Sequence, residues 1–205
     1  MRALFVAACL VLVAPASAQE TPQAPGYQVA VDQPAGSYRL DPRHASVLFR
    51  IRHMGLSWFT ARFDTKDATL ELDRDDPSRS RLTASVDATS VNTGVLNRDG
   101  ERAFDQQIGR ALGGASITFT STAIERTGET TARVIGDLSM NGQTHPVTLD
   151  ATFEGSTTDL LRGGNRVLGF SAVGEIDRTQ WGVRDWGAFT GDTVQIVIEA
   201  EFVKA

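Results

Sequence analysis

The sequence predicts an all-β fold, a single antiparallel barrel of about eight strands with one short helix between strands. Three observations carry that reading. The stretch from Tyr38 to Phe63, YRLDPRHASVLFRIRHMGLSWFTARF, alternates apolar and polar residues on either side of a break at Met54–Gly55–Leu56. Val47, Phe49 and Ile51 share one face, and Phe59, Ala61 and Phe63 repeat the pattern beyond the break. Alternation of period two marks strands with one dry and one wet face. The same pattern recurs along the chain, and a series of long amphipathic strands must bury one face each and also protect its edges. Closure into a barrel does both, whereas a two-sheet sandwich, the competing architecture, leaves edges open. Only the segment from Asn92 to Gly114 departs from the pattern.

Taken in order, the chain opens MRALFVAACLVLVAPASAQE, with a single Arg at position 2, an apolar run from Ala3 to Ala14, and Ala16-Ser17-Ala18 before Gln19. This reads as a cleavable signal peptide over residues 1–18. Its apolar run is about 12 residues, short of the roughly 20 a membrane span needs. A lipoprotein site at Cys9 fails on position, because the apolar run continues past it. Secretion to the periplasm with cleavage after Ala18 is therefore expected. Residues 19–37 hold Pro22, Pro25 and Pro34 among polar residues and read as a flexible N-terminal arm, with Tyr27–Val31 able to add a short strand. The barrel domain is expected over 38–205.

After the opening hairpin, Ala68–Leu72 extends the second strand, and DRDDPSRS (73–80) is a charged surface turn. Arg81–Val91 returns as a strand. Within Arg98–Leu112, Ala103, Phe104, Gln107, Ile108 and Ala111 fall at helical spacing, and Gly113-Gly114 stops the helix. Strands follow over Ser116–Ala123 and Thr131–Met140. Asn141-Gly142 marks a tight hairpin into the strand carrying Val147, Leu149, Ala151 and Phe153. Gly155–Asn165 reads as a loop, and Val167–Ile176 and Val194–Phe202 as the closing strands.

Charge and cysteine usage narrow the function. The 205-residue chain carries 20 Lys+Arg and 25 Asp+Glu, so removing the leader with its one Arg takes the net charge from −5 to −6. That mild acidity is spread along the chain and makes neither nucleic acid nor an anionic membrane surface an expected partner. The one Cys lies in the leader, so the mature chain has no disulfide and rests on core packing and sheet closure.

Four separated motifs resemble, in order, the signatures of the YceI-like family. They are Phe49-Arg-Ile-Arg-His-Met-Gly-Leu-Ser-Trp58, the Ser90-Val-Asn-Thr run leading to Arg98-Asp99, Gly136-Asp-Leu-Ser-Met-Asn-Gly-Gln-Thr-His-Pro-Val-Thr-Leu149, and Ile176-Asp-Arg-Thr-Gln-Trp-Gly-Val183. The resemblance covers nearly all of the chain from Tyr38 onward. It implies a lipocalin-like barrel with a long interior pocket, and a polyisoprenoid ligand such as an isoprenoid quinone or a polyprenyl phosphate. Members are commonly periplasmic, and the resemblance brings no catalytic residues with it. One departure follows Arg98-Asp99, where Glu101 stands in place of the usual His.

A long isoprenoid buried in an apolar tunnel gains about 25 cal/mol for each Å² removed from water. Phe49, Ile51, Phe63, Phe119, Leu149, Phe153, Phe170 and Ile196 are the expected lining. Against this stands the plainer reading that they pack the barrel solid. Gly136, Gly174 and Ala151 on inward faces are compatible with lumen space, although glycines in strands also mark bends. His53 continues the inward face of Phe49 and Ile51 and is expected to hydrogen-bond at the mouth. Arg98 is a candidate for a quinone carbonyl or a phosphate, set against an Arg98–Asp99 pair that fixes the loop. Trp58, Trp181 and Trp186 either gate the barrel ends or pack there.

His44, His53 and His145 form no ligand pattern, so neither a metal nor a cofactor is expected. No G-x-S-x-G, P-loop or H-E-x-x-H is present, and the expectation is a carrier rather than an enzyme. Its expected partners are the lipid and, transiently, a membrane for lipid exchange. Monomer and homodimer both stay open. Two rivals remain: an enzyme acting on a bound lipid through His53 and Arg98, and a filled-barrel interaction module.

Overall fold

The computed structural model describes residues 32–160 and 163–205. The expected signal peptide and the Tyr27–Val31 strand lie outside the described residues. The strands are β1 (Gly36–His53), β2 (Ser57–Phe63), β3 (Lys66–Leu72), β4 (Arg81–Asp87), β5 (Val91–Asn92), β6 (Ser116–Arg126), β7 (Thr131–Met140), β8 (Gln143–Asp159), β9 (Asn165–Asp177) and β10 (Thr190–Lys204). One helix, α1 (Ala103–Ala111), lies between β5 and β6. Every pairing is antiparallel, and β1 pairs with β10 to close the sheet on itself.

The ten segments make eight staves, because two of them continue a neighbour. β2 and β3 are halves of one bent strand, since both pair with β1, Phe49 facing Ala61 and Tyr38 facing Leu70. β5 continues β4 past a 3-10 turn at Ala88–Ser90 and pairs with β2. The eight-stranded barrel with one helix is thus the observed fold, and Ala68–Leu72 does extend the second strand.

Local chemistry explains the turns. β7 and β8 meet through Asn141 (φ 50°) and Gly142 (φ 73°), the left-handed pair a two-residue hairpin needs, with Met140 opposite Gln143. The helix begins at Ala103, later than Arg98. The preceding loop winds around Asn97, whose Oδ1 accepts from the backbone N–H groups of Asp99 and Glu101 at 2.9 and 2.8 Å. At the other end Gly114 N–H reaches Gly109 O at 2.8 Å, with Gly113 at φ 97°.

The expected loop at Gly155–Asn165 is a correction. β8 runs on to Asp159, and β9 starts at Asn165 directly opposite it. Glu154 is the extra residue of a bulge between Phe153 and Gly155, and Gly155, at φ 138°, lets the strand kink there without ending. A second bulge in β1, between Leu40 and Ala45, is fastened by Asp41, which accepts from the Arg43 backbone N–H at 3.1 Å and meets His44 Nδ1 at 2.7 Å.

The inward side chains form two apolar clusters. The larger, around Phe63, Phe119, Ile108 and Trp181, brings α1 against the barrel. The smaller, around Tyr38, Leu70, Phe153, Leu168 and Phe202, occupies the opposite end.

Candidate lipid-binding cavity

Between these clusters the barrel is hollow. A cavity of about 940 Å³ runs through it, lined from the α1 end to the β6–β7 end mainly by apolar side chains, with polar ones toward its ends. That volume is at the top of the range of about 300–1,000 Å³ typical of small-molecule sites. Phe49, Ile51, Phe63, Phe119, Leu149, Phe170 and Ile196 all line it. They come from six different strands, and the period-two pleat turns each one inward. The register sets them side by side: Phe49 faces Ala61 on β2 and Ile196 on β10, and Leu149 faces Gly174 on β9. The Phe49 and Phe63 rings lie 5.7 Å apart at 44°.

The expected lining residue Phe153 and the head-group candidate Arg98 are placed elsewhere. Phe153 is buried in the far-end cluster, its ring 5.4 Å from Phe170, and is not part of the cavity wall. Arg98 lies on the exposed loop before α1, outside the cavity wall. Nor does an Arg98–Asp99 pair fix that loop. Glu101 accepts from Asn97 Nδ2 at 3.0 Å and closes the turn on itself.

Lumen space does not explain the inward glycines. A Cβ on Gly136 would lie 2.5 Å from both Phe119 Cζ and Thr120 O, and one on Gly174 would meet Leu149 Cδ2 at 2.6 Å. These glycines exist because neighbouring side chains lie across them. The small residues that leave room are Ala151 and Ala172, paired across β8 and β9 and both on the cavity wall.

The α1 end forms a mouth. Phe104 on the helix meets Phe59 of β2 at 5.8 Å and Trp186 at 5.7 Å, both edge to face, so an aromatic chain spans from barrel wall to loop. His53 lies exposed at the rim, beyond a register shift that follows Ile51. Of the three Trp residues, Trp186 is at this opening, whereas Trp181 is sealed in the core with Nε1 donating to Leu138 O at 3.0 Å. Trp58 edges the mouth with its ring beneath two guanidinium groups, Arg52 at 4.3 Å and Arg50 at 5.0 Å.

The residue that sequence reasoning missed is Arg178. It is buried beside the mouth and holds the 182–192 loop. Nε donates to Gly191 O, Nη1 to Val183 O and Asp185 O at 2.9 and 2.8 Å, and Nη2 to Thr190 Oγ1 and Asp192 Oδ1 at 3.3 Å each. A guanidinium has five N–H groups. All five are engaged, so Arg178 shapes the rim and has no donor left for a ligand. The adjacent Asp177 caps the 3-10 turn, and hydrogen bonds from the Thr179 hydroxyl and backbone N–H hold its carboxyl below the usual range.

At the opposite end Asp32 and Gln33 contribute to the cavity lining. Asp32 is held there by an ion pair with Arg166, and Tyr38 Oη donates to Pro34 O at 2.6 Å. Away from the cavity, Asp41, His44 and Glu201 bring three ligand-capable atoms within 4.8 Å of one another, where they fasten the β1 bulge to β10.

Comparison with known proteins agrees with this geometry. The YceI-like domain family matches residues 38–202. The chain belongs to that family. Its YceI-like relatives include the UPF0312 protein of Serratia proteamaculans, 34% identical over 174 residues covering 83% of this chain and 88% of that protein. Protein YceI of Escherichia coli O157:H7 is 33% identical over 172 residues, again 83% of this chain and 88% of the relative. Among solved structures, BcnA of Burkholderia cenocepacia superposes with a TM-score of 0.65 at 19% identity, covering 79% of this chain and 98% of that one. A polyisoprenoid binding domain from Saccharophagus degradans gives 0.60 at 14% identity, covering 82% and 98%. Identities this low establish a shared YceI-like fold and nothing further.

Proposed function

We propose that this YceI-like protein binds an isoprenoid lipid, such as an isoprenoid quinone or a polyprenyl phosphate, in the barrel, and holds or carries it in the periplasm after export through the signal peptide at residues 1–18. The observation that carries this reading is the mainly apolar cavity of about 940 Å³ in the barrel interior. Water gains little from such a space, and a long hydrocarbon gains about 25 cal/mol per Å² buried. The shape favours a chain over a compact ligand, because residues from both barrel ends line one continuous space. A filled-barrel module requires the opposite, an interior packed solid. The solved polyisoprenoid binding domain with the same fold adds support from outside.

The reading requires no chemistry on the ligand. His53 stands at the rim, Arg178 has every donor engaged, and Arg98 is off the cavity wall, so the His53–Arg98 pair of an enzyme reading does not converge. Affinity comes from burial, and orientation from the few polar groups of the mouth.

Native mass spectrometry of protein purified from its own periplasm, with solvent extraction of the bound material, tests this. A stoichiometric adduct that extracts as an isoprenoid supports it, and the mass gives head group and chain length. A bare protein that also refuses added quinones and polyprenyl phosphates sinks it.

A further inference from the structure

Beside the mouth the surface is apolar where a monomeric protein gains nothing by exposing it. Met54 and Leu56 flank Gly55 at the tip of the β1–β2 hairpin, 61% and 81% exposed, and Phe189 is 57% exposed. The three are joined, since Met54 N–H donates to Phe189 O at 2.7 Å, coupling the hairpin tip to the 182–192 loop. Met54 takes a left-handed backbone (φ 52°) to make this turn, so the tip has a defined shape that presents its side chains outward. The residues beside it, His53, Ser57 and Phe189, line the cavity, so the patch and the opening are one edge of the molecule.

We propose that this edge docks on a phospholipid bilayer, with Met54, Leu56 and Phe189 entering the acyl boundary and Arg50, Arg52 and Trp58 resting at the level of the phosphates. The inference rests on the lipid-binding reading, because a bilayer is where a lipid cargo is taken up or delivered. Its own support is the order of chemistry along the hairpin. Apolar side chains form the tip, and an aromatic ring covered by two guanidinium groups lies just behind it on β1 and β2. Interfacial segments follow that order of apolar, aromatic and basic groups with distance from the acyl region. A protein partner would be met as well by the apolar tip, but would give no reason for the basic ring behind it. The net charge of −6 after leader removal keeps the rest of the molecule off an anionic surface, so contact is confined to the rim and is reversible. Docked this way, the mouth opens into the bilayer and the cargo crosses without passing through water.

The test is co-flotation of the mature protein with vesicles of phosphatidylethanolamine containing about one-quarter phosphatidylglycerol. The Met54→Asn/Leu56→Asp double variant is run in parallel. Neither residue lines the cavity, and Asn tolerates the left-handed backbone at position 54. Lipid content is measured on the same samples by native mass spectrometry. The expected result is flotation of the wild type and partition weakened at least about tenfold in the variant, with an unchanged melting curve. Substituting Gln for both Arg50 and Arg52 should weaken partition by about tenfold and remove most of its dependence on phosphatidylglycerol. No flotation of a lipid-loaded wild type overturns the docking proposal and leaves the cargo reading standing. Flotation of a protein that never loads lipid sinks the cargo reading. Equal flotation of wild type and hairpin variant, or a hairpin-dependent dimer or protein complex without vesicle binding, overturns this assignment of the edge.

Discussion

Nη1 of Arg178 lies 2.8 Å from the carbonyl oxygen of Asp185 and joins a buried guanidinium to the loop that frames the cavity mouth. Four more hydrogen bonds from the same side chain fix Val183, Thr190, Gly191 and Asp192. Lys in its place would supply one compact ammonium instead of a planar fork and leave several carbonyls unpaired. Arg178→Lys should therefore cost about 2–4 kcal/mol in urea denaturation and expose the 182–190 loop to protease at native conditions. A variant as stable and as resistant as wild type would refute this account of the rim.

Ala172 faces Ala151 across β9 and β8, and both small side chains line the cavity. Ala172→Phe would direct a ring from this wall into the cavity. The folded protein should keep or slightly raise its melting temperature, while affinity for a long isoprenoid falls at least about tenfold. Retention of a full-length lipid, read by native mass spectrometry, would show that the chain does not pass this point.

Gly136 predicts the reverse. Its missing Cβ is occupied space, with the Phe119 ring and a backbone carbonyl both at 2.5 Å from where that atom would sit. Gly136→Ala should destabilise by about 1–3 kcal/mol as β6 and β7 are pushed apart. The urea midpoint measures it, and an unaffected midpoint would mean that Phe119 swings freely.

Tyr38 is fully buried and donates to Pro34 O, tying the residues before β1 to the barrel end. Burial raises its pKa above 10.0, opposed by Arg166 and aided by Asp32. A raised folded value means that the unfolded chain loses this proton first. The associated stability is present below the free tyrosine value of about 10 and is lost as pH rises toward the folded value. Tyr38→Phe should cost about 1 kcal/mol at neutral pH and flatten the decline above pH about 10. Parallel alkaline curves for the two proteins would contradict it.

The strands were legible because a half-buried strand writes its faces into alternate residues, and the Asn141-Gly142 turn because few pairs adopt two left-handed conformations in succession. Alternation says which way a side chain points, not how far the opposite wall lies. The lining at Phe49, Phe119 and Ile196 was therefore readable, whereas the choice between a hollow and a filled barrel was not. Phe153 points inward as its alternation indicates but packs into the far-end cluster, a depth that alternation does not encode. Arg178, within Asp-Arg-Thr-Gln-Trp, looks like a solvated turn residue. Its burial depends on carbonyls brought back by residues 183–191, which local sequence does not encode.

The barrel closes where β1 meets β10, and Phe49 lies beside Ile196, 147 positions further along the chain. A seam between distant segments forms late, because the entropy of closing so long a loop must be offset before either strand gains from pairing. Without that seam the same strands would be an open, curled sheet with its greasy face bare and no interior to fill. Cargo capture therefore belongs to the finished molecule, and the interval before the final strand docks is when the chain most needs shielding from its own kind.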